Sequence, residues 1–400
     1  MKRFYLTTII ICLLALLGAS FVYHFWDKKP ENLKLVVGYL SENDEMTANT
    51  YNFFQSQNIL EKEFPGQVEI LTKTNVQQDE TMEAVDDLVR NGIRILFTNT
   101  RSDKIKAAAV QYPEVQFCQL STGVAAETKS GSNFYTFNAK NYQGHYVSGV
   151  AAGMKLRQLI DDGTITTDQA QVGYIGSFPT AETISGFTAF LLGVRSECPE
   201  AVMRVRYANA LSNFTREKAN AKELIEEGCV IIAHNSGSTG PEVACQEAAI
   251  NKTVYYIGFN ENMINDATTV SLISIHNNWD PFVTNAIRAV ITEKPLETVI
   301  PGEIRGNDIC AGFDQGWLEI IDLNENLAAP GTDSHVNEVI EQIIKGKVDI
   351  FKGDYTGVDS NNMRIKIDLN DGFVENSNSS KPTFHYILKD VITVEKTSEN

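Results

Sequence analysis

The chain has 400 residues, 43% of them hydrophobic and 21% charged, with a formal net charge of −17. A chain of this length makes about two domains, and this composition can bury real cores, which excludes an intrinsically disordered protein. The acid excess argues against a nucleic-acid partner, whose phosphates reward basic surfaces, and against docking on anionic lipid; it leaves small-molecule ligands open.

At the N-terminus Lys2-Arg3 precede an apolar run from Phe4 to Trp26. A basic flank before an apolar run is the pattern of an export signal, and Gly18-Ala19-Ser20 offers small residues for cleavage. The run also reaches the ~20 residues that span a bilayer. Residues 1–29 are therefore expected to be a signal peptide or a membrane anchor, with the chain from about Pro30 outside the cytoplasm.

Beyond Pro30 the pattern alternates. Strands are expected at Leu33 to Leu40, Val68 to Thr74, Ile93 to Thr98 and Val115 to Leu120, with helices at Asn49 to Glu63, Glu80 to Asn91 and Asp103 to Tyr112 between them. Each strand is a compact apolar run, as when helices cover both faces of a parallel sheet. The series restarts with a long helix, Asn141 to Leu159, whose Gly144, Ser148, Gly149, Ala151, Ala152 and Gly153 permit close helix packing. Strands follow at Gln171 to Ile175, Val202 to Tyr207, Val230 to Ala233 and Val254 to Ile257. The intervening helices are expected at Ala181 to Ser196, Thr215 to Glu227 and Gly240 to Ile250. A β-branched run, Ser271 to Ile275, breaks into His276-Asn277-Asn278-Trp279 before a helix from Pro281 to Thr292. The tail from Asn361 is polar, with strand-like pieces at Met363 to Ile367 and Thr383 to Leu388. Two consecutive α/β lobes with right-handed βαβ crossovers are the natural assembly.

In open parallel sheets, ligands bind beyond the carboxyl ends of the strands. Those exits hold Glu42 with Asp44, Asn99, Asn138 with Tyr142, Phe178, Asn209, His234 with Asn235, Asn260, and the run His276 to Trp279. Asn side chains supply donors and acceptors together, and flat rings supply stacking faces. A planar, neutral, hydrogen-bonding ligand suits that combination, and a nucleobase fits it, although each Asn alone is also common turn chemistry.

Catalytic patterns are missing. The histidines show no HxH or HExxH spacing for a metal, and there is no GxSxG elbow, P-loop or GxGxxG after a strand. Gly237-Ser238-Thr239-Gly240 could seat an anion or serve as a loop with an N-cap. The acid cluster Glu42, Asp44 and Glu45 could touch a metal or a ribose, or lie in solvent. No catalytic residue, metal or cofactor is expected. Of the six cysteines, Cys12 lies in the export segment and the other five form no CxxC. Cys198 and Cys229 each precede a strand and could pair; buried free thiols are the other reading.

Five stretches in order carry a family resemblance: "NYQGHYVSGVAAGMK" from Asn141, "VGYIGSFPTAETISGFTAFLLG" from Val172, "AKELIEEGCVIIAHNSGS" from Ala221, "YYIGFNENM" from Tyr255, and "HNNWDPF" from His276. From about Leu35 to Asp354 the chain resembles the basic membrane protein family of type I periplasmic binding proteins, the receptors of nucleoside and purine ABC importers. The resemblance implies two Rossmann-like lobes, a hinge crossed three times, and a ligand enclosed between the lobes. Nucleoside-binding relatives end the segment matching Tyr255 to Asn260 in an Asp that holds ribose; here it ends in Asn260, as in a subgroup that binds free bases. By the same resemblance Trp279 and Phe178 would stack on the base, Asn260 and Asn235 would read its edges, and His276 to Trp279 would line the cleft. The aromatic usual in the first loop is replaced in "SENDEMTANTY", where Met46 could take its place, and no lipobox precedes Cys12.

The lobes are expected at 33–138 plus about 271–310 and at 139–270 plus about 311–375, followed by a polar extension, 376–400. The expected ligand residues are Asp44, Met46, Asn99, Tyr142, Phe178, Asn209, His234, Asn235, Asn260, His276, Asn278 and Trp279. The expected function is capture of a purine base or nucleoside for an ABC permease; the alternative is a membrane-anchored sensory domain that works with a signalling partner.

Overall fold

The computed structural model describes residues 34–42, 48–121, 123–127, 132–260, 269–376 and 379–395. The apolar N-terminal run, Cys12, Asp44 and Met46 lie outside the described residues. Among those described, no helix is long and apolar enough to cross a membrane.

The first lobe is built from β1 (Leu35–Leu40), α1 (Ala48–Glu63), β2 (Val68–Lys73), α2 (Thr81–Arg90), β3 (Ile93–Thr98), α3 (Lys104–Gln111), β4 (Gln116–Leu120) and β5 (Phe134–Ala139). The second contains α4 (Asn141–Asp161), β6 (Gln171–Gly176), α5 (Ala181–Glu197), β7 (Val202–Tyr207), α6 (Phe214–Glu226), β8 (Ile231–His234), α7 (Gly240–Ala248), β9 (Tyr255–Phe259) and β10 (Ser271–Asn277). The chain returns through α8 (Asp280–Ile291), β11 (Glu303–Arg305) and β12 (Asp308–Ala311), then β13 (Leu318–Leu323) and α9 (Thr332–Ile344). It ends in β14 (Thr356–Asp359), β15 (Lys366–Asp368), β16 (Tyr386–Leu388) and β17 (Ile392–Val394).

One sheet runs β11-β12-β5-β4-β3-β1-β2 and the other β13-β10-β9-β8-β6-β7-β17. All pairs inside them are parallel except β11 with β12 and β10 with β13. β10 therefore belongs to the second sheet. The expected division, which assigned 271–310 to the first lobe, begins that segment one strand early, because the crossover falls after Asn277. The tail also departs from its expectation as a polar extension. β17 pairs with β7, and Phe384 and Leu388 are fully buried.

The chain passes between lobes after β5, after β10 and between β12 and β13. Each crossing contributes a ring to one aromatic knot. Phe137 stacks on Phe282 at 3.8 Å, and Trp279 and Trp317 meet Phe137 edge-on at 5.4 and 6.5 Å. Edge-to-face and offset arrangements favour such rings beyond their burial, so the hinge has a dry, ordered centre.

The helix α4 packs along α5 with almost no space between backbones. A Cβ on Gly149 would lie 2.1 Å from the carbonyl oxygen of Phe190, and one on Gly193 would lie 2.1 Å from that of Tyr146. The small residues of α4 thus serve the packing their spacing suggested. Cys118, Cys198, Cys229, Cys245 and Cys310 are all buried free thiols, so the possible pairing of Cys198 with Cys229 is not present.

Candidate ligand-binding site

Both sheets share one strand order through their first five strands, so each has one place where neighbouring strands send their connections to opposite sides. In the first sheet this lies between β1 and β3, and in the second between β6 and β8. Diverging loops leave a crevice there, and ligands bind in it. In the first lobe, Glu42 ties the loops after β1 and β3 together by accepting from Thr100 Oγ1 at 2.5 Å and from Arg101 N at 2.8 Å. Beside it, Asn99 donates to Thr50 Oγ1 at 3.4 Å. In the second lobe, Asn235 Oδ1 accepts from Ser177 N at 3.1 Å, and its Nδ2 donates to Thr183 Oγ1 at 3.2 Å. Phe178, half-buried, follows directly on that latch.

The two crevices meet through α1. Two residues beyond Thr50, Asn52 Nδ2 donates across the lobes to the carbonyl of Asn260 at 2.9 Å. Asn260 sits at φ +61°, a left-handed conformation that Asn tolerates far better than most residues. That turn aims its Oδ1 at Asn277 N, 2.8 Å away. Asn99 and Asn277 each hold a buried amide oxygen with no protein donor among the described residues. An unsatisfied buried acceptor costs about 1–3 kcal/mol, which a ligand donor in the cleft would recover. The arrangement can clasp a neutral ring between amides from both lobes. Among the described residues, nothing at these contacts places an acid and a base around a reacting bond.

Residues 50–350 match the family model for PnrA-like ABC transporter substrate-binding proteins, three-quarters of the chain. The chain belongs to this family. It is 28% identical over 245 residues to a purine-binding protein of Brucella abortus, covering 60% of this chain. It is 26% identical over 282 residues to a putative ABC transporter glucose-binding protein of Haloferax volcanii, covering 70% of this chain. In each case the match spans 64% of the relative's own length. Two solved ABC transporter solute-binding proteins share the fold. One, from Aeropyrum pernix, has TM-score 0.61 and 16% identity, with 78% of this chain and 92% of that one covered. The other, from Conexibacter woesei, has TM-score 0.60 and 13% identity, with 78% and 97% covered. The two-lobed α/β architecture expected from the sequence is thus present, and the family is one of ABC transporter substrate-binding proteins.

In this PnrA-like protein, several expected ligand residues lie away from the crevices. His234 ends β8 but turns inward: its ring stacks on Tyr256, its Nε2 lies 2.6 Å from the Tyr256 hydroxyl, and its Nδ1 lies 3.1 Å from the carbonyl of Ser236. Burial holds its pKa below the ordinary histidine value against the pull of nearby Glu217. Glu217 itself accepts from Ser236 Oγ at 2.7 Å and Ser238 Oγ at 2.6 Å, so the Gly237–Gly240 loop already serves a carboxylate of its own chain. Tyr142 packs its ring against Phe351, centroids 5.6 Å apart, and burial raises its phenol pKa. Asn209 is exposed at φ +49°, the turn chemistry common for Asn.

The run from His276 to Asn278 divides by parity. His276 and Asn278 both reach Glu319 on β13, at 3.4 and 2.5 Å. Side chains alternate along a strand, so the Asn277 side chain lies on the opposite face, while its backbone N–H donates to Asn260 Oδ1. Sequence reading set the whole run His276 to Trp279 along the cleft but kept Asn277 out of the expected ligand residues; strict alternation counted from buried Ile273 and Ile275 was the signal that sets it apart from its neighbours. It also passed over Asn52, whose role depends on a contact 208 positions away. Trp279 is 3% exposed, with its ring in the hinge knot, and that packing replaces the stacking role expected for it. Trp279→Ala is therefore expected to cost about 3–5 kcal/mol of stability, the usual result of emptying an aromatic core site. Urea denaturation measures it; a variant as stable as the parent but weaker for ligand would return Trp279 to the cleft.

Proposed function

We propose that this protein captures a purine base between its lobes, outside the cytoplasm, and presents it to the permease of an ABC importer. The observation that carries the reading is the pair of buried amide oxygens without a partner among the described residues, on Asn99 directly after β3 in one lobe and on Asn277 at the end of β10 in the other. Free purines present N–H donors and ring acceptors in one plane, which Asn amides read in both directions. Phe178 supplies a half-open ring at the second crevice for stacking, and Asn235 and Asn260 set the edges around it. The relative in Brucella abortus, named for purine binding, supports the class. An Asn in place of a ribose-binding carboxylate favours the base over its nucleoside. The N-terminal apolar run would hold the protein at the outer face of the membrane or be removed on export.

Amides also read sugar hydroxyls, and the relative in Haloferax volcanii is named for glucose. A thermal-shift panel separates the two. A ligand at ~100 times its dissociation constant stabilises by about 2.7 kcal/mol, a visible shift. Shifts with adenine, guanine or hypoxanthine that exceed those with their nucleosides and with glucose are expected. A shift with glucose alone would keep the fold and sink the purine assignment.

A further inference from the structure

The family match ends at residue 350, yet the chain beyond it is built into both lobes. On the second lobe, Glu375 is buried and accepts from Ser185 Oγ of α5 at 2.8 Å, from Phe384 N at 2.9 Å and from Thr383 Oγ1 at 2.9 Å. Phe384 is fully buried and stacks on Phe351 at 4.4 Å, and β17 extends the second sheet beyond it. Four residues before Phe384, the chain is fixed to the first lobe. Ser380 N donates to Asp308 Oδ2 at 2.6 Å, its hydroxyl donates to Asp308 Oδ1 at 2.9 Å, and Gly123 N donates to that hydroxyl at 2.9 Å. Asp308 belongs to β12 and also accepts from Thr136 of β5 at 2.6 Å; Asp308 and Ser380 are each 1% exposed.

Gly123 records how tightly this segment sits. Its φ is +70°, and a Cβ there would lie 2.8 Å from Ser379 Oγ and 3.0 Å from Lys381 Cβ. The segment is therefore packed against the first lobe while its next residues are locked into the second. Four residues of extended chain reach at most about 14 Å, so the lobes cannot separate far at this edge while both ends hold.

We propose that residues 379–384, held by Asp308 on one lobe and Glu375 on the other, form a fourth crossing, a strap that limits how far the cleft opens. The strap lies beside the hinge, where Asp308 is three residues from the crossover after Ala311. It bounds the hinge excursion without covering the cleft. The proposal is independent of which solute the cleft binds.

The test measures lobe separation without ligand. Nitroxides are placed at Gln55→Cys on α1 and Thr215→Cys on α6, both exposed, in a full-length Cys12→Ser background whose other cysteines are buried. Pulsed electron–electron resonance then gives the distance distribution for the parent, for Ser380→Ala and for Gly123→Val. A shift of the distribution to longer distances in the variants, with far-UV circular dichroism unchanged, is the expected result. A distribution identical to the parent's in folded variants would overturn the strap and leave these contacts as local packing. Should Gly123→Val fail to fold, Ser380→Ala, which removes only a hydroxyl, decides the matter alone.

Discussion

Asn260→Ala is expected to lose about 2–3 kcal/mol of stability and to weaken purine binding at least tenfold. Two physical terms add. An alanine held in the left-handed region costs about 1–2 kcal/mol, and Asn260 stands at φ +61°. Loss of the 2.8 Å bond from Asn277 N to Asn260 Oδ1 removes about 1 kcal/mol more and leaves a buried donor open. The affinity falls for a further reason. Asn260 carries the carbonyl that Asn52 grips from the other lobe, and it holds Asn277 in register. Asn260→Gly separates the contributions: glycine accepts the backbone angle, so the loss is confined to what the side chain holds, and about half the stability cost should return. Denaturation midpoints and titration with guanine read both effects. Equal stability losses in the two variants would remove the backbone argument; unchanged affinity in both would remove Asn260 from the site.

Alanine at Gly149 or Gly193 is expected to destabilise the second lobe by about 1–3 kcal/mol each, and by more together. Alanine favours a helix over glycine by about 1 kcal/mol, so propensity alone predicts the opposite sign. Packing decides. Each new methyl would meet a backbone carbonyl oxygen at 2.1 Å, and backbone atoms inside two long helices cannot swing aside as a side-chain tip can. The helices α4 and α5 would have to separate, which moves Glu182 and Thr183 near the second crevice. Gly163→Ala is the control: it has φ +77° and no atom within 4 Å of its would-be Cβ, so only the backbone term applies. Urea midpoints for the three variants give the comparison. A Gly193→Ala variant as stable as the parent would show that α4 and α5 have room the structure denies.

Much of this fold was legible because its signals are local. Apolar runs of four to eight residues between helices marked the strands from β1 to β9, apart from β5, and the glycines of α4 marked a close helix contact. Sequence placed Asn99, Phe178, Asn235 and Asn260 at strand exits, and the structure puts the first three at the two switch points. What escaped depends on distant partners. β11, β12 and β17 are three or four residues long and are strands only because β5 and β7 offer edges. Ser380 looks like linker chemistry until Asp308, 72 positions away, is set beside it. Trp279 was placed in the cleft by its position at a strand exit and by the family resemblance. In space its neighbours are Phe137 and Trp317, one from each of the other hinge crossings.

The central claim is that amides from both lobes enclose a purine base. Titration calorimetry of the protein with guanine, adenine and hypoxanthine, in parallel with Asn277→Ala, tests it most directly. Asn277 contributes a buried oxygen without a donor among the described residues and makes its bond to Asn260 through its backbone, so the substitution should spare the fold. The account predicts saturable binding of at least one of these bases, at one site per chain, weakened tenfold or more in Asn277→Ala. Saturable heat with glucose and none with the bases, or purine binding indifferent to Asn277→Ala, would contradict it.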